Sequence, residues 1–236
     1  MTTAHPQLAA NVQGIRARIA AAAARAGRAA SDVRLIAVTK YVEPSLAQAL
    51  IELGEHDLGE SRPQELWRKV DLLGPLAAQV RWHFIGHLQR NKLDRTLAHT
   101  ALLHSGDSLR LLTAINDFGQ SHNRRIPTLI EVNISGDAAK HGFQPAELPA
   151  LGETLDQLTH VEIRGLMGMS SLEGTADDAR REFASLRQLR DQLQSVWPTS
   201  CALHELSMGM SDDFEAAIEE GSTCVRIGSA LFEGLR

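Results

Sequence analysis

The sequence contains few cysteines: Cys201 and Cys224 are present, and no CxxC pair occurs. Two thiols placed in this way cannot build a disulfide framework or a four-cysteine zinc site, and they suit a reducing compartment. The first residues also lack the basic, apolar and small-residue order of a signal peptide, and no apolar run reaches the length of a membrane span. We therefore expect a soluble, cytoplasmic protein that has no membrane partner.

The sequence also has no excess of positive charge and few aromatic side chains. The net charge is −5, unlike that of a chain with a strongly basic nucleic-acid-binding face, so we expect no nucleic-acid partner. Aromatic residues make up 4% of the chain, so the core must consist mainly of aliphatic side chains. No low-complexity linker divides the 236 residues, and we expect a single domain over residues 1–236. The sequence shows no large apolar surface stripe, which favours a monomer.

Short apolar runs alternate along the chain with longer stretches of helical periodicity. The apolar runs predict eight strands, at residues 35–40, 57–60, 80–87, 101–105, 128–134, 162–169, 204–208 and 224–231. A helix at residues 7–26 precedes them, and further helices are expected to begin near Pro44, Ser61, Asn91, Ser108, Pro145, Thr175 and Ser211. This alternation predicts an α/β fold, a single (β/α)₈ TIM-type barrel with an additional N-terminal helix. An open doubly wound sheet is the alternative, but no G-x-G-x-x-G segment follows the first strand.

A lysine, Lys40, stands at the end of the first predicted strand. Strand alternation places Ile36, Val38 and Lys40 on one face, and an inward face would direct the amine into the barrel. Burial disfavours the charged form of a lysine, and the free amine attacks aldehydes. The alternative is a lysine that caps the strand and points to solvent.

The last two predicted strands end in turns that are rich in glycine and serine: Ser207-Met208-Gly209 and Gly228-Ser229. Backbone N–H groups in such turns can bind anions, and barrels often bind phosphate after the seventh and eighth strands. Both turns could instead be ordinary chain reversals. A lysine on the first strand opposite a phosphate-binding turn would suit a phosphorylated aldehyde.

His83 and His87 share a face of the third predicted strand. No third metal ligand is apparent in the sequence, so we expect no metal site here. Hydrogen bonding to a ligand or to neighbouring loops is the favoured role, and His87 is predicted to contact the ligand.

Five segments of the chain resemble the pyridoxal phosphate homeostasis proteins, the alanine racemase N-terminal-domain-like family. The resemblance extends from about Leu35 to Arg236, and the second and fourth segments are long and distinctive. The segments are AVTK at 37–40, WHFIGHLQRNK at 82–92, GLM at 165–167, LSMGMSDD at 206–213 and GSTCVRIG at 221–228.

The resemblance implies a fold-type III barrel that binds pyridoxal 5′-phosphate, with Lys40 forming the internal aldimine. It also implies that Arg226 approaches the pyridine nitrogen, where a cation resists protonation of the ring and makes it a poorer electron sink. The phosphate would be held by Ser207, Gly228 and Ser229. Met208 and Gly209 of the same turn complete the predicted cofactor contacts.

One position departs from the family pattern. The family usually has Gly-Glu-Asn where this chain has Gly59-Glu60-Ser61. The shorter side chain of Ser61 could lose a contact to the cofactor ring, although we keep Ser61 among the predicted cofactor-binding residues.

The resemblance implies a role in intracellular vitamin B6 homeostasis, in which the protein holds the cofactor and supplies it to apo-enzymes. A racemase-like enzyme is the alternative. Racemisation needs bases on both faces of the cofactor, and racemases of this fold take a tyrosine from a second domain, which we do not expect here. Tyr41 is the only tyrosine, and adjacent strand residues point to opposite faces, so it is poorly placed relative to Lys40. We therefore expect a carrier and not an enzyme. A third possible function is that of a barrel that binds phosphate groups but never binds the cofactor.

Overall fold

The computed structural model describes residues 5–137, 139–171 and 174–235. Eight parallel strands form a closed barrel in sequence order, and the last strand pairs with the first. This confirms the predicted TIM-type barrel. The strands are β1 (Arg34–Val38), β2 (Asp57–Glu60), β3 (Arg81–Phe84), β4 (Thr100–Gly106), β5 (Ile126–Glu131), β6 (Val161–Met167), β7 (Glu205–Ser207) and β8 (Cys224–Ile227).

Helices surround the barrel and cover its outer face. The α-helices are α1 (Pro6–Arg25), α2 (Pro44–Glu52), α3 (Pro63–Leu73), α4 (Leu93–Leu97), α5 (Leu109–Ser121), α6 (Gly152–Asp156), α7 (Ala176–Val196) and α8 (Phe214–Glu219). Short 3-10 turns occupy Ala30–Asp32, Gly74–Gln79, Arg90–Lys92, Pro145–Leu151 and Ser229–Phe232. No described helix is both long enough and apolar enough to cross a membrane.

The N-terminal helix α1 is present as the sequence predicts. It begins with Pro6 in the first turn, where a missing N–H costs no helical hydrogen bond. Leu8, Val12, Ile15 and Ile19 recur at helical spacing and are buried. This apolar stripe attaches α1 to the barrel, where it packs against α8 and the final 3-10 turn.

Several strands are shorter than predicted. Strand β1 ends at Val38 rather than at Lys40, and Lys40 lies in the following turn. The predicted third and eighth strands also extend too far, because apolar residues continue past the strand ends. Leu231 and Phe232, for example, are buried in a 3-10 turn and not in β8. Burial alone therefore does not mark the end of a strand at the barrel mouth.

The barrel interior is divided between apolar and polar side chains. Leu102, Leu129 and Met167 form a small apolar cluster that is separate from the main core. His104 follows Leu102 by two residues on β4, so both side chains face the interior. His104 and Arg226 are both buried, and this places a polar group and a charge inside the barrel.

Candidate cofactor site at the barrel mouth

A cavity of about 340 Å³ opens at the carboxyl end of the strands. Its volume is at the lower end of the range for small-molecule sites, roughly 300–1,000 Å³. Most lining residues follow β1, β2, β3, β6, β7 and β8, and two, Val38 and Arg226, lie on β1 and β8 themselves. They include Lys40, Tyr41, Ser61, Ile85, Met169, Met210, Ser211, Asp212, Arg226, Gly228 and Ser229.

Lys40 lies half-buried in the turn after β1. Its Nζ atom is 5.0 Å from the centre of the Tyr41 ring, a cation–π contact. Tyr41 is 60% exposed and lines the same cavity. Strand alternation, the argument used for Tyr41 from the sequence, does not apply here, because Lys40 and Tyr41 lie in a turn.

The peptide group before Lys40 is held by a buried ion pair. Lys69 of α3 and Glu60 of β2 are both fully buried, with Nζ and Oε1 2.5 Å apart. Lys69 also donates to the carbonyl oxygen of Thr39 at 2.5 Å, and the Thr39 hydroxyl donates to Glu60 at 2.5 Å. The backbone that carries Lys40 is thus fixed at one end by three charge-assisted hydrogen bonds.

Arg226 is buried in the barrel at the base of the cavity. Its Nη1 donates to Oγ of Ser207 at 2.6 Å, and its Nη2 donates to the carbonyl oxygen of Gly168 at 3.1 Å. Burial lowers the pKa of the guanidinium, while Asp213 and Glu131 oppose that shift. Arginine is not deprotonated in proteins, so Arg226 brings a permanent positive charge to the site.

Ser207 connects Arg226 to a chain of buried side chains that runs through the barrel. The Ser207 Oγ is 2.8 Å from Nδ1 of His104, and Nε2 of His104 is 2.9 Å from Nδ1 of His83. The Nε2 atom of His83 is 2.9 Å from Oδ1 of Asp57. We call Asp57, His83, His104 and Ser207 the buried relay.

The protonation states of His83 and His104 in the buried relay follow from their burial and from the Asp57 carboxylate at one end. Burial lowers the pKa of His83 and takes that of His104 well below its usual range, so both rings are neutral. The Asp57 carboxylate only accepts, so His83 donates through Nε2 and accepts through Nδ1. His104 must then donate through Nε2, and its Nδ1 accepts from the Ser207 hydroxyl. Every hydrogen bond therefore runs in one direction, from the Arg226 cation to the Asp57 anion.

Asp57 is ionised because of its partners. Burial alone would raise its pKa, but hydrogen bonds from His83 and Arg81 outweigh that effect and hold the pKa well below its usual range. Arg81 donates through Nε at 2.8 Å and through Nη2 at 2.5 Å. The relay thus ends in a bidentate arginine–carboxylate pair at the start of β2 and β3.

The two predicted phosphate-binding turns meet beside Arg226. Ser229 begins the last 3-10 turn, and the first N–H groups of such a turn have no acceptor within it. The Ala230 N–H lies 3.4 Å from Oγ of Ser211, which connects the turn after β8 to the turn after β7. Gly209 has φ +91°, and a Cβ there would lie 2.6 Å from the Cβ of Ala217. Only glycine fits this position without displacement of α8.

The structure brings five of the nine predicted site residues to the cavity: Lys40, Ser61, Arg226, Gly228 and Ser229. Ser207 is fully buried beneath Arg226. The carbonyl oxygen of Gly209 accepts a hydrogen bond from the backbone N–H of Arg226 at 3.0 Å. The side chain of Met208 is fully buried in the main apolar core and is not part of the cavity lining. His87 is exposed and forms a 2.6 Å hydrogen bond to Asp107 outside the cavity lining.

The sequence reasoning missed the roles of Asp57 and His104. His104 lies two residues from the interior-facing Leu102, so strand alternation could have identified a histidine inside the barrel. Asp57 had no comparable signal, because its partner His83 is 26 residues away in sequence. The residues 210–212 of the cavity lining follow the predicted seventh strand and were left out of the predicted set.

Comparison with known proteins identifies the family. The chain matches the family model "Alanine racemase, N-terminal domain" over residues 10–235. It is 40% identical over 215 residues to a pyridoxal phosphate homeostasis protein of Aquifex aeolicus, covering 91% of this chain and 92% of the relative.

Two solved structures are similar over nearly their whole length. A crystal structure of an unknown protein from Bifidobacterium adolescentis has a TM-score of 0.91 at 35% identity, covering 98% of this chain and 97% of that chain. PipY of Synechococcus elongatus, in a structure with pyridoxal phosphate bound, has a TM-score of 0.84 at 31% identity, covering 95% and 99%. The chain therefore belongs to the alanine racemase N-terminal domain family and, within it, to the pyridoxal phosphate homeostasis proteins.

Proposed function

We propose that this protein binds pyridoxal 5′-phosphate covalently through Lys40 and serves cytoplasmic vitamin B6 homeostasis by holding the cofactor for apo-enzymes. The observation that carries the proposal is one cavity that combines a primary amine, a buried guanidinium and two converging Gly/Ser turns. The relatives support it, because those with the same family name and the cofactor-bound PipY structure match this chain at over 30% identity.

The donor set of the cavity fits pyridoxal phosphate. Lys40 offers the nucleophilic nitrogen that an aldehyde requires, and the turns at Ser211 and Ser229 offer hydroxyl and N–H donors for a phosphate. Arg226 has five N–H donors, and the hydrogen bonds to Ser207 and Gly168 use two of them. Among the described residues no other partner of this guanidinium is found, so its remaining donors could serve an acceptor in the cavity, such as a pyridine nitrogen.

Each residue has a distinct proposed role. When bound, pyridoxal phosphate supplies an aldehyde that captures amines and, if its ring is protonated, an electron sink. Arg226 opposes ring protonation because it is itself a cation, and the buried relay keeps it oriented toward the cavity. Ser229 and Gly228 bind the phosphate, and the Lys69–Glu60 pair fixes the backbone that carries Lys40.

This arrangement favours a carrier over a racemase. A racemase needs proton-transfer groups on opposite faces of its cofactor, whereas Lys40 and Tyr41 are consecutive residues of one turn. The permanent charge of Arg226 also weakens the ring as an electron sink, which disfavours carbanion chemistry. Tyr41 lines the cavity, however, so racemase activity deserves a direct assay.

The experiment compares cofactor-loaded wild type with Lys40→Ala. We expect a visible absorption band from the lysine–aldehyde conjugate in wild type and its loss in the variant. A loaded wild type without this band would refute covalent binding. Wild type is then incubated with single-enantiomer amino acids, and sustained loss of optical activity that requires Lys40 would refute the carrier role.

A further inference from the structure

Three potential metal ligands converge on the barrel mouth outside the cofactor cavity. His87 follows β3, Asp107 follows β4 and His141 lies in the loop after β5. A ring nitrogen of each histidine and a carboxylate oxygen of Asp107 all lie within 4.8 Å of one another. The two imidazole rings stack with centroids 4.4 Å apart, and Nδ1 of His87 is 2.6 Å from Oδ2 of Asp107. We call these three residues the His–Asp–His cluster.

Backbone ties hold the loops of this cluster in place. The Ser105 hydroxyl donates to the carbonyl oxygen of Gly86 at 2.6 Å, which fixes the segment before His87 against the end of β4. The Phe143 N–H donates to the carbonyl oxygen of Glu131 at 2.8 Å, which fixes the segment after His141 against the end of β5. These bonds tie the backbone beside His87 and His141 to the barrel, while the two imidazoles themselves remain exposed.

A buried carboxylate lies next to the cluster. Glu131 is 6% exposed and interacts electrostatically with Asp107 and His87; burial, followed by repulsion from Asp107, raises its pKa to about 7. Asp107 repels its charge, and Arg226 attracts it without a hydrogen bond. A cation bound nearby would offset part of the cost of keeping this carboxylate charged in a buried position.

We propose that His87, Asp107 and His141 bind a divalent first-row transition-metal ion, with Glu131 as a nearby compensating charge. Two imidazoles and a carboxylate suit Zn²⁺ and its neighbours, whereas Mg²⁺ and Ca²⁺ prefer sites built from oxygen alone. The ion would replace the hydrogen between Nδ1 of His87 and Oδ2 of Asp107. That proton would move to Nε2 of a neutral ring, or leave to solvent from a protonated ring, so that His87 binds as a neutral imidazole. Water would complete the coordination.

The surroundings of Asp107 fit this role. The Ser108 hydroxyl donates to Oδ1 of Asp107 at 3.0 Å, so one oxygen is oriented while Oδ2 faces the histidines. Such outer hydrogen bonds hold metal-binding carboxylates in position. Bonds of about 2.0–2.2 Å to the ion require the three ligands to draw closer, and their position in loops allows that movement.

Titration of the full chain with Zn²⁺ alone, in protein stripped of pyridoxal phosphate, tests the proposal. Isothermal titration calorimetry should show one site, and His141→Ala should weaken it at least tenfold. His99→Ala is the matched control, because His99 is an exposed histidine outside the cluster. The His99→Ala variant should bind Zn²⁺ with the affinity of wild type. Co²⁺ should give a visible spectrum in wild type that changes in His141→Ala.

Two results would overturn the metal site: no stoichiometric Zn²⁺ binding by folded wild type, or equal Zn²⁺ affinity in wild type and His141→Ala. Circular dichroism verifies that each variant is folded, and His87→Ala provides a second test of the same site. The titration does not depend on the proposed cofactor role, because Lys40→Ala should bind Zn²⁺ as wild type does.

Discussion

Replacing Ser207 with alanine would sever the buried relay at its contact with Arg226. The variant loses the 2.6 Å hydrogen bond from Arg226 and the 2.8 Å hydrogen bond to His104. Hydrogen bonds to charged groups contribute about 1.5–3 kcal/mol, and a buried group left without a partner costs about 1–3 kcal/mol. Because these contributions overlap, we expect a loss of about 2–4 kcal/mol in the free energy of unfolding.

Ser222→Ala is a matched control for this loss. Ser222 is also a fully buried serine, but its hydroxyl is within hydrogen-bonding distance of three neutral backbone carbonyl oxygens, those of Leu206, Met208 and Cys224. Loss of neutral hydrogen bonds should cost about 1 kcal/mol. Urea denaturation followed by circular dichroism measures both variants in the cofactor-free state. A loss in Ser207→Ala no larger than that in Ser222→Ala would refute the reasoning.

A second measurement separates the relay from a purely structural role of Ser207. The hydrogen-bond order requires the Nε2–H tautomer of both His83 and His104. Nitrogen-15 chemical shifts of the imidazoles should show this tautomer in wild type and a change at His104 in Ser207→Ala. An Nδ1–H tautomer of His104 in folded wild type would contradict the proposed direction of the relay.

Three further predictions concern stability. The pKa values of His83 and His104 are lowered in the folded protein, so the unfolded chain binds more protons at low pH. Their contribution to the free energy of unfolding is therefore present above about pH 6.5 and is lost as pH falls below that value, at up to about 1.4 kcal/mol per pH unit for each histidine. Urea denaturation between pH 8 and pH 5 should show this fall in stability, and a flat profile would contradict it. Lys69→Met leaves the buried Glu60 carboxylate unpaired and should lower the free energy of unfolding by about 3–5 kcal/mol. A decrease below about 1 kcal/mol in the same urea denaturation assay would show that the ion pair is dispensable. Gly209→Ala adds a steric clash to an unfavourable φ, so it should lower the melting temperature more than Gly27→Ala does. Gly27 also has a positive φ, but the space around it is open. Equal shifts of the melting temperature by differential scanning calorimetry would remove the steric explanation.

The alternation of strands and helices could be predicted from the sequence, because the two periodicities are local. Two predicted helix starts, at Ser108 and Thr175, coincide with residues whose side chains accept backbone hydrogen bonds at the starts of α5 and α7. Strand ends were less predictable, since Lys40 follows an apolar run but lies in a turn. Local patterns show where side chains begin to be buried and not where backbone pairing stops.

The polar interior of the barrel was beyond the reach of sequence patterns. His104 and Ser207 are 103 residues apart, and their contact exists because the closed barrel brings β4 and β7 together inside. At the barrel mouth, His141 lies near His87 and Asp107 because the loops after β3, β4 and β5 meet there, whereas the sequence showed only two histidines near one another. Contacts across a barrel depend on closure and register, which no local window contains.

The central claim is that Lys40 holds pyridoxal phosphate. The chain has four lysines, Lys40, Lys69, Lys92 and Lys140, so the attachment site can be mapped without ambiguity. Lys69 is fully buried against Glu60, and Lys140 donates to the carbonyl oxygen of Ser170 at 2.8 Å. Lys92 lies over the Trp67 ring, with Nζ 5.7 Å from its centroid, whereas Lys40 lines the cavity. Cofactor-loaded wild type is reduced with borohydride, digested and analysed by mass spectrometry. We expect one pyridoxyl-phosphate label, on the peptide that contains Lys40, whereas a label on another lysine or no label in loaded protein would contradict the claim.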